Sequence, residues 1–310
     1  YIEEFRNIGI TILEKLTECV NIAQKNNVTH VLFLGDIFHI KVANRVSHKL
    51  VQDMANILQQ FKVPVYILVG NHDITDGSLE TLSKQPLGVL KFVPNVTLLE
   101  TEPLSLDDDI DIYPIPGVTG ITIDDYAVLG KNKRDIMVVH QSIVPDINKE
   151  NEMLRDILFD AKAVAEKTNI NLVLYGHQHR YDGVYKITRD DGTSAVFSNL
   201  GSICRLTITD EDVYKTPSVL LLDFDTDENR TVTPTIIKLE NVQPPELAYR
   251  LDEHLEEKEH SRDIEEAIKK LKNSTISIFS IESVISDVEM RQDVDENVKA
   301  AALSLLEEVR

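Results

Sequence analysis

The chain alternates amphipathic helical stripes with short runs of almost wholly apolar residues, and this alternation restricts the folds open to it. Apolar residues recur at helical spacing from Ile2 to Ala23, and the apolar run "THVLFLGD" follows. A second stripe, from Val46 to Phe61, precedes "VPVYILVGNHD", and the runs "DIMVVH" and "INLVLYGH" flank a segment of helical pattern, 151–168. Strands this apolar are covered on both faces. We therefore predict an α/β layered fold, in which ligands collect at the carboxyl ends of the strands.

From about residue 181 the pattern changes to β-type segments, "GVYKI", "SAVFSNL", "SVLLLDFD" and "TVTPTIIKL", with the turn signal Asp190-Asp191-Gly192 between the first two. These segments predict a second sheet. Two prolines in "NVQPPELAY" then interrupt the pattern, and the residues beyond them are charged and helical in spacing. We place a domain boundary near 241, between a first domain, 1–240, and a small helical or α+β region, 241–310.

Composition limits the classes of function. The formal net charge of -20 repels a phosphate backbone and argues against a protein that binds nucleic acid alone, although bound metal ions or a partner can supply positive charge. The longest apolar runs are strand-sized, well short of the roughly 18 residues that cross a membrane. Two cysteines, Cys19 and Cys204, form neither a disulfide framework nor a CxxC motif, which fits a cytoplasmic protein.

The apolar runs end in residues that can bind metal ions. These residues are Asp36 and His39 after the first run, Asn71, His72 and Asp73 after the second, His140 after the third, and His177 and His179 after the fourth. Taken singly, each has an ordinary structural explanation: Asp36 could cap a turn, Asn71 could lie in one, and His140 could be a core histidine. The ordered set favours a metal site instead.

This mixture of ligand types suits two-metal chemistry. One carboxylate can bridge two divalent ions, while a carboxamide oxygen and imidazoles complete their coordination. Two ions roughly 3.5 to 4 Å apart can clamp a phosphoryl group and activate water. Oxygen and nitrogen ligands without thiolate suit manganese, iron or zinc.

The sequence resembles the calcineurin-like metallophosphoesterases, whose pattern is DxH, GDxx[DH], GNH[DE], a lone His and GHxH. Four of these five blocks occur in the right order over residues 31–180. The resemblance implies a metallophosphoesterase β-sandwich flanked by helices, with two divalent ions, most typically Mn²⁺. It implies that Asp36 bridges the ions, that one site is completed by Asn71, His140 and His177, and that His179 belongs to the other. His72 would protonate the leaving oxygen or stabilise charge in the transition state.

Within this family, the residues after Asp36 separate the branches. His39-Ile40-Lys41 departs from the protein phosphatases, whereas "GDIFH", "GNHD" and "NLGSICR" (199–205) resemble the SbcD-type DNA repair and recombination nucleases, including phage enzymes. That branch implies DNA as the substrate and a coiled-coil SMC-like ATPase as the partner, and it leaves open whether the protein forms a homodimer. It also implies that His39 assists His72 and that Ser202 lies near the DNA backbone. "NLGS" could equally be an ordinary turn. The alternatives are a small-molecule or protein phosphoesterase of the same fold and a scaffold with weakened catalysis.

The family's first block, a strand ending in Asp-x-His, would precede the first helix. The sequence opens inside that helix, at Tyr1. Either the block is encoded upstream, as we expect, or the protein has diverged and lost one metal site. Without the block, Asp36 and His179 leave the second ion with two protein ligands.

Overall fold

The computed structural model describes residues 2–38, 46–204, 214–224 and 232–242, together with the isolated positions 300 and 303. The chain divides into two compact units, Tyr1–Pro245 and Glu246–Arg310. The fold described below is that of the first unit. The predicted region 241–310, with its capping or partner-binding role, lies almost wholly outside the described residues and stays a prediction.

The helices and strands alternate through the first half of the unit and become mainly β in the second. The α-helices are α1 (Ile2–Lys25), α2 (His48–Leu58), α3 (Pro86–Leu90) and α4 (Ala161–Lys167). The strands before residue 140 are β1 (Val31–Phe33), β2 (Val65–Leu68), β3 (Val96–Leu99), β4 (Leu104–Asp107), β5 (Ile110–Ile115) and β6 (Ile136–Val139). Those after it are β7 (Ile143–Val144), β8 (Phe159–Asp160), β9 (Leu172–Tyr175), β10 (Gly183–Thr188), β11 (Ser194–Asn199), β12 (Ser218–Phe224) and β13 (Val232–Lys238).

Helix α2 shows how local sequence sets an element. The side chain of Ser47 accepts a hydrogen bond from the Leu50 N–H and so caps the start of the helix. Met54, Ile57 and Leu58 lie on its buried face at the expected helical spacing. The chain then tightens into a 3₁₀ turn and leaves the helix at Lys62, whose backbone is left-handed.

The described strands form two principal sheets. Strands β1, β2 and β3 are parallel neighbours, and the larger sheet has the order β10-β11-β9-β6-β5-β4. In the larger sheet β5, β6, β9 and β11 run parallel, with antiparallel strands at both edges. The prediction of a second sheet from residue 181 was therefore wrong for β10 and β11, because β11 pairs directly with β9. It was right for β12 and β13, which form a separate antiparallel pair.

The two principal sheets pack face to face, with helices outside. One apolar cluster joins Leu68 and Leu99 of the smaller sheet to Ile112, Val138 and Leu174 of the larger. On the outer face of the smaller sheet, a second cluster includes residues of α1, α2 and α3. On the outer face of the larger sheet, a third cluster includes residues of α4. The predicted α/β sandwich flanked by helices is confirmed.

The helix predicted over 151–168 is shorter in the structure. Residues Glu152–Ile157 form a 3₁₀ helix, and β8 intervenes before α4 begins. The Phe159 N–H donates to the Ser142 carbonyl, which draws residue 159 into strand pairing. The Asp160 side chain then caps α4 by accepting from the Ala163 N–H, so tertiary pairing overrides the helical spacing. Within the part of the chain that the structure describes, every helix is too short or too polar to cross a membrane.

Candidate metal centre

Four ligand-type side chains meet where the two sheets face each other. Asp36 and Asn71 follow β1 and β2 of the smaller sheet, whereas His140 and His177 follow β6 and β9 of the larger. One ligand atom each from Asp36, His140 and His177 lie within 4.8 Å of one another. The Asn71 Oδ1 atom lies 3.1 Å from His140 Nε2 and 2.8 Å from His177 Nδ1. The structure thus brings together one carboxylate, one carboxamide and two imidazoles.

His140 is held with one ring nitrogen facing this cluster. Its Nδ1 lies 2.6 Å from the Leu34 carbonyl oxygen, to which it donates, and its Nε2 lies 3.2 Å from Asp36 Oδ2. The ring is buried, with 2% exposed. Burial lowers the pKa of His140, but the hydrogen bond and charge of Asp36 outweigh it and raise the pKa. An imidazole whose remote nitrogen is fixed by a backbone carbonyl is the usual arrangement of a metal ligand.

His177 presents a neutral imidazole to the same point. Burial and the neighbouring His140 lower the pKa of His177 to about 4, so its ring keeps a free lone pair at neutral pH. The residue has a φ of 78°, in the left-handed region that non-glycine residues rarely occupy. Such local strain is concentrated at functional sites, where the surrounding structure maintains it.

Asp36 also has a left-handed backbone, with a φ of 55°. Its Oδ1 accepts the His72 N–H at 2.8 Å, which leaves Oδ2 facing His140. Burial works against ionisation, but the His140 hydrogen bond and charge, helped by the His72 N–H, bring the pKa of Asp36 down to about 2. Asp36 is therefore a carboxylate over the whole physiological range.

Asp73 fastens the loops that carry Asp36 and Asn71. Its carboxylate accepts N–H donors from Asp36, Ile37, Phe38 and Gly70 at 2.8 to 3.4 Å. The side chain is 2% exposed. Burial raises the pKa of Asp73 to about 7, whereas the Gly70 and Phe38 donors act in the opposite direction. The sequence marked Asp73 only as a polar residue after a strand and gave no indication that it joins two loops.

Close backbone approach at the centre depends on glycine. A Cβ at Gly35 would lie 2.4 Å from His140 Nδ1, and one at Gly70 would lie 2.2 Å from Asp36 Oδ1. A Cβ at Gly117, in the turn after β5, would lie 2.3 Å from the Asn71 nitrogen. Sequence reasoning missed Gly117, although a Pro-Gly pair after an apolar run marks a turn.

Besides the four side chains that meet, the predicted site residues are His72, His179, Ser202 and His39. His72 is half-buried, and the pKa values of Asp36 and His177 both respond to its charge. His179 is half-buried and, among the described residues, is not one of the three whose ligand atoms cluster within 4.8 Å. The Ser202 N–H donates to the His179 carbonyl at 3.2 Å, so Ser202 lies beside that loop. His39 lies outside the described residues.

The donor set fits a divalent metal ion. With His140 Nδ1 donating to a carbonyl, His140 Nε2 faces two oxygens, from Asp36 and Asn71. The raised pKa of His140 favours a proton on Nε2 between these acceptors, and a divalent cation can take the place of that proton. Asp36, Asn71, His140 and His177 could therefore hold a metal ion, and their oxygen and nitrogen atoms suit manganese, iron or zinc.

A family model described as calcineurin-like phosphoesterase matches residues 11–181, which is more than half of the chain. The chain belongs to the calcineurin-like phosphoesterase family. Membership implies metal-dependent hydrolysis of phosphoesters, and the family typically uses a pair of metal ions.

The chain is similar to two solved structures. The crystal structure of TT1561 of Thermus thermophilus has a TM-score of 0.44 and 11% sequence identity, with 73% of this chain and 93% of that chain covered. Another crystal structure has a TM-score of 0.45 and 9% identity, with the same two coverages. No curated protein matches the chain.

Proposed function

We propose that the protein is a two-metal-dependent phosphodiesterase that cleaves DNA, as the nuclease subunit of a complex with a coiled-coil SMC-like ATPase in DNA repair or recombination. The observation that carries the metal-dependent part is the convergence of Asp36, Asn71, His140 and His177 on one point. The nuclease part depends on the resemblance of "GDIFH", "GNHD" and "NLGSICR" to the SbcD-type enzymes.

In this proposal the four clustered residues and His179 would hold two ions. Asp36 would serve both ions, Asn71, His140 and His177 would complete one, and His179 would belong to the other. When bound, the ions would neutralise charge on the phosphate and make water a better nucleophile at neutral pH. The chain's own contribution is to fix the ligand atoms: the Leu34 carbonyl orients His140, and the His72 N–H orients Asp36.

His72 is the proposed general acid. Its backbone is tied to Asp36, while its side chain is close enough to influence the pKa values of Asp36 and His177. A proton donated from this ring to the leaving oxygen, or its charge beside the developing anion, would stabilise the transition state. His39 is proposed to assist His72, and Ser202 to lie near the DNA backbone.

The net negative charge of the protein supports the proposal of a partner for DNA binding. A net charge of -20 opposes binding to a polyanion, so the nuclease subunit should bind DNA weakly alone. An ATPase partner with basic surface would supply the missing attraction. The same charge favours one alternative, an esterase acting on a small phosphate, because a single phosphate needs only the local field of bound metal ions.

The test is cleavage of linear duplex DNA in Mn²⁺ by the full-length protein, with and without the coiled-coil ATPase. We expect weak cleavage alone and a clear increase with the partner. His72→Ser should abolish cleavage and leave metal content nearly unchanged, whereas His48→Ser, an exposed histidine at the start of α2, should behave as wild type. Brisk turnover of a phosphomonoester without DNA cleavage in either condition would support the esterase instead.

A further inference from the structure

The histidine loop, residues 176–180, joins β9 to the turn before β10 and carries His177 and His179. Three consecutive carbonyls of this loop, those of Gln178, His179 and Arg180, accept hydrogen bonds from residues that lie at or beyond the end of β11. The position of the two histidines therefore depends on a part of the chain distant in sequence.

Asn199, the last residue of β11, makes the largest share of these bonds. Its amide nitrogen donates to the Gln178 carbonyl at 3.1 Å, the Arg180 carbonyl at 3.3 Å and Asp182 Oδ2 at 3.2 Å. Its Oδ1 accepts the Gly201 N–H at 2.8 Å. The residue is 3% exposed, so water has little access to replace these bonds.

The His179 carbonyl, which lies between those of Gln178 and Arg180, also accepts hydrogen bonds from residues beyond β11. The His179 oxygen accepts the Ser202 N–H at 3.2 Å and the Lys215 ammonium at 3.0 Å. Gly201 has a left-handed φ of 70°, and a Cβ there would lie 2.4 Å from the His179 oxygen. Residues 199–202 thus pack directly against the backbone of the histidine loop.

We propose that Asn199 is a positioning residue for the metal centre: it holds the histidine loop so that His177 Nδ1 stays opposite Asn71 Oδ1. The role rests on the proposed function, in which His177 and His179 bind metal. A neutral amide is required because the side chain must donate to two carbonyls and also accept an N–H, which a carboxylate cannot do. Groups that orient metal ligands typically change metal affinity about 10- to 100-fold when they are removed.

The variant Asn199→Asp tests this with little change of shape. It keeps the acceptor for the Gly201 N–H but replaces the donor by an oxygen that faces two carbonyls and Asp182. We expect the affinity of the full chain for Mn²⁺, measured by titration calorimetry below the melting temperature, to fall about 10- to 100-fold. Asn199→Ser, which is small and neutral, should show a fall of about 10-fold and covers the case in which the aspartate variant does not fold.

Asn95 provides a matched control. Its amide also donates to two backbone carbonyls, those of Leu58 at 2.9 Å and Val63 at 3.1 Å, but it precedes β3 at the amino end of the smaller sheet. Asn95→Asp should lower the melting temperature and leave the affinity for Mn²⁺ within twofold of wild type.

The outcomes separate two failures. If the Asn199 variants melt at lower temperature but bind Mn²⁺ within twofold of wild type, Asn199 has only a structural role and the inference is overturned. If the wild-type chain itself binds no Mn²⁺, the proposed metal site fails and the positioning role fails with it.

Discussion

The imidazole of His177 shows how the surroundings of one residue set its chemistry. Burial and the adjacent His140 lower its pKa to about 4, and its Nδ1 lies 2.8 Å from Asn71 Oδ1. A histidine in this state offers a lone pair without first having to lose a proton at neutral pH. The consequence is that the folded protein excludes a proton that the unfolded chain would bind.

This exclusion predicts a pH dependence for the metal-free protein. Between pH 4 and 6.5 the unfolded chain binds a proton at His177 that the folded chain does not, so the free energy of unfolding should rise with pH across this window. The contribution is at most about 1.4 kcal/mol per pH unit, reduced by the partial exposure of the ring. In His177→Gln the rise should be shallower. Urea denaturation in EDTA at several pH values measures the difference.

The comparison with wild type is needed because Asp73 acts in the opposite direction. The pKa of Asp73 is raised from its usual value of 3.8 to about 7. Its contribution to the free energy of unfolding therefore falls as the pH rises between these two values. Asp73 is present in both proteins, and its effect cancels in the difference. Parallel pH profiles for wild type and His177→Gln would contradict the assigned shift.

At the scale of elements, the centre depends on how closely the turns after the strands approach one another. The turn after β5 passes against the loop after β2, and Gly117 leaves no space for a side chain: a Cβ would lie 2.3 Å from the Asn71 nitrogen and 2.9 Å from His140 Cδ2. Both neighbours belong to proposed metal ligands. A change at Gly117 would therefore move two ligands while itself contributing none.

Gly117→Ala should separate the turn from these ligands. We expect it to lower the free energy of unfolding by about 1 to 3 kcal/mol, as overpacking does, and to weaken Mn²⁺ binding as well. Gly120→Ala, in the same turn region, is the control. Gly120 has a left-handed φ of 84° but nothing within 4 Å of a Cβ, so alanine there should cost about 1 to 2 kcal/mol and leave Mn²⁺ binding unchanged. Equal Mn²⁺ affinity in both variants would show that the close approach has no bearing on the centre.

At the scale of the whole molecule, the three apolar clusters are built from described residues of the first compact unit. Because the chain divides into two compact units at this point, we predict that the sandwich that positions the centre folds without the residues after 245. Residues 241–310 carry nine basic and 17 acidic side chains, a net charge of -8. Such a charge makes direct binding to DNA unfavourable, and a role in docking the partner is easier to reconcile with it.

Deletion of residues 246–310 should test this division. We expect hydrolysis of bis-p-nitrophenyl phosphate in Mn²⁺ to be retained within a few-fold, because under the proposed function a small diester needs only the metal centre and His72. Stimulation of DNA cleavage by the ATPase partner should be lost. Undiminished stimulation in the shortened chain would place the docking surface in the first unit.

The order of elements and the types of ligand were accessible from sequence because both depend on local patterns. Apolar runs predicted β1, β2, β6 and β9, and the polar residues that end them are the ones the structure brings together, Asp36, Asn71, His140 and His177. Ligands collect at the carboxyl ends of strands in α/β folds, so convergence could be expected without knowing the partners of each strand. The prediction of one helix over 151–168 was wrong because it used local spacing alone. Phe159 pairs with the segment at Ser142, and this pairing overrode the helical spacing.

Only the tertiary structure decided that the four ligand-bearing strands belong to two different sheets, so that the centre lies between β1 and β2 on one side and β6 and β9 on the other. The same holds for Asp73, Gly117 and Asn199, whose contacts join segments that are distant in sequence, as Gly117 and Asn71 are. A hydrogen bond or close approach of this kind leaves no periodic trace in the sequence, because it depends on where two loops meet after the sheets have packed. The candidate metal ligands were therefore visible in the sequence, whereas the residues that hold them in place became visible only in the fold.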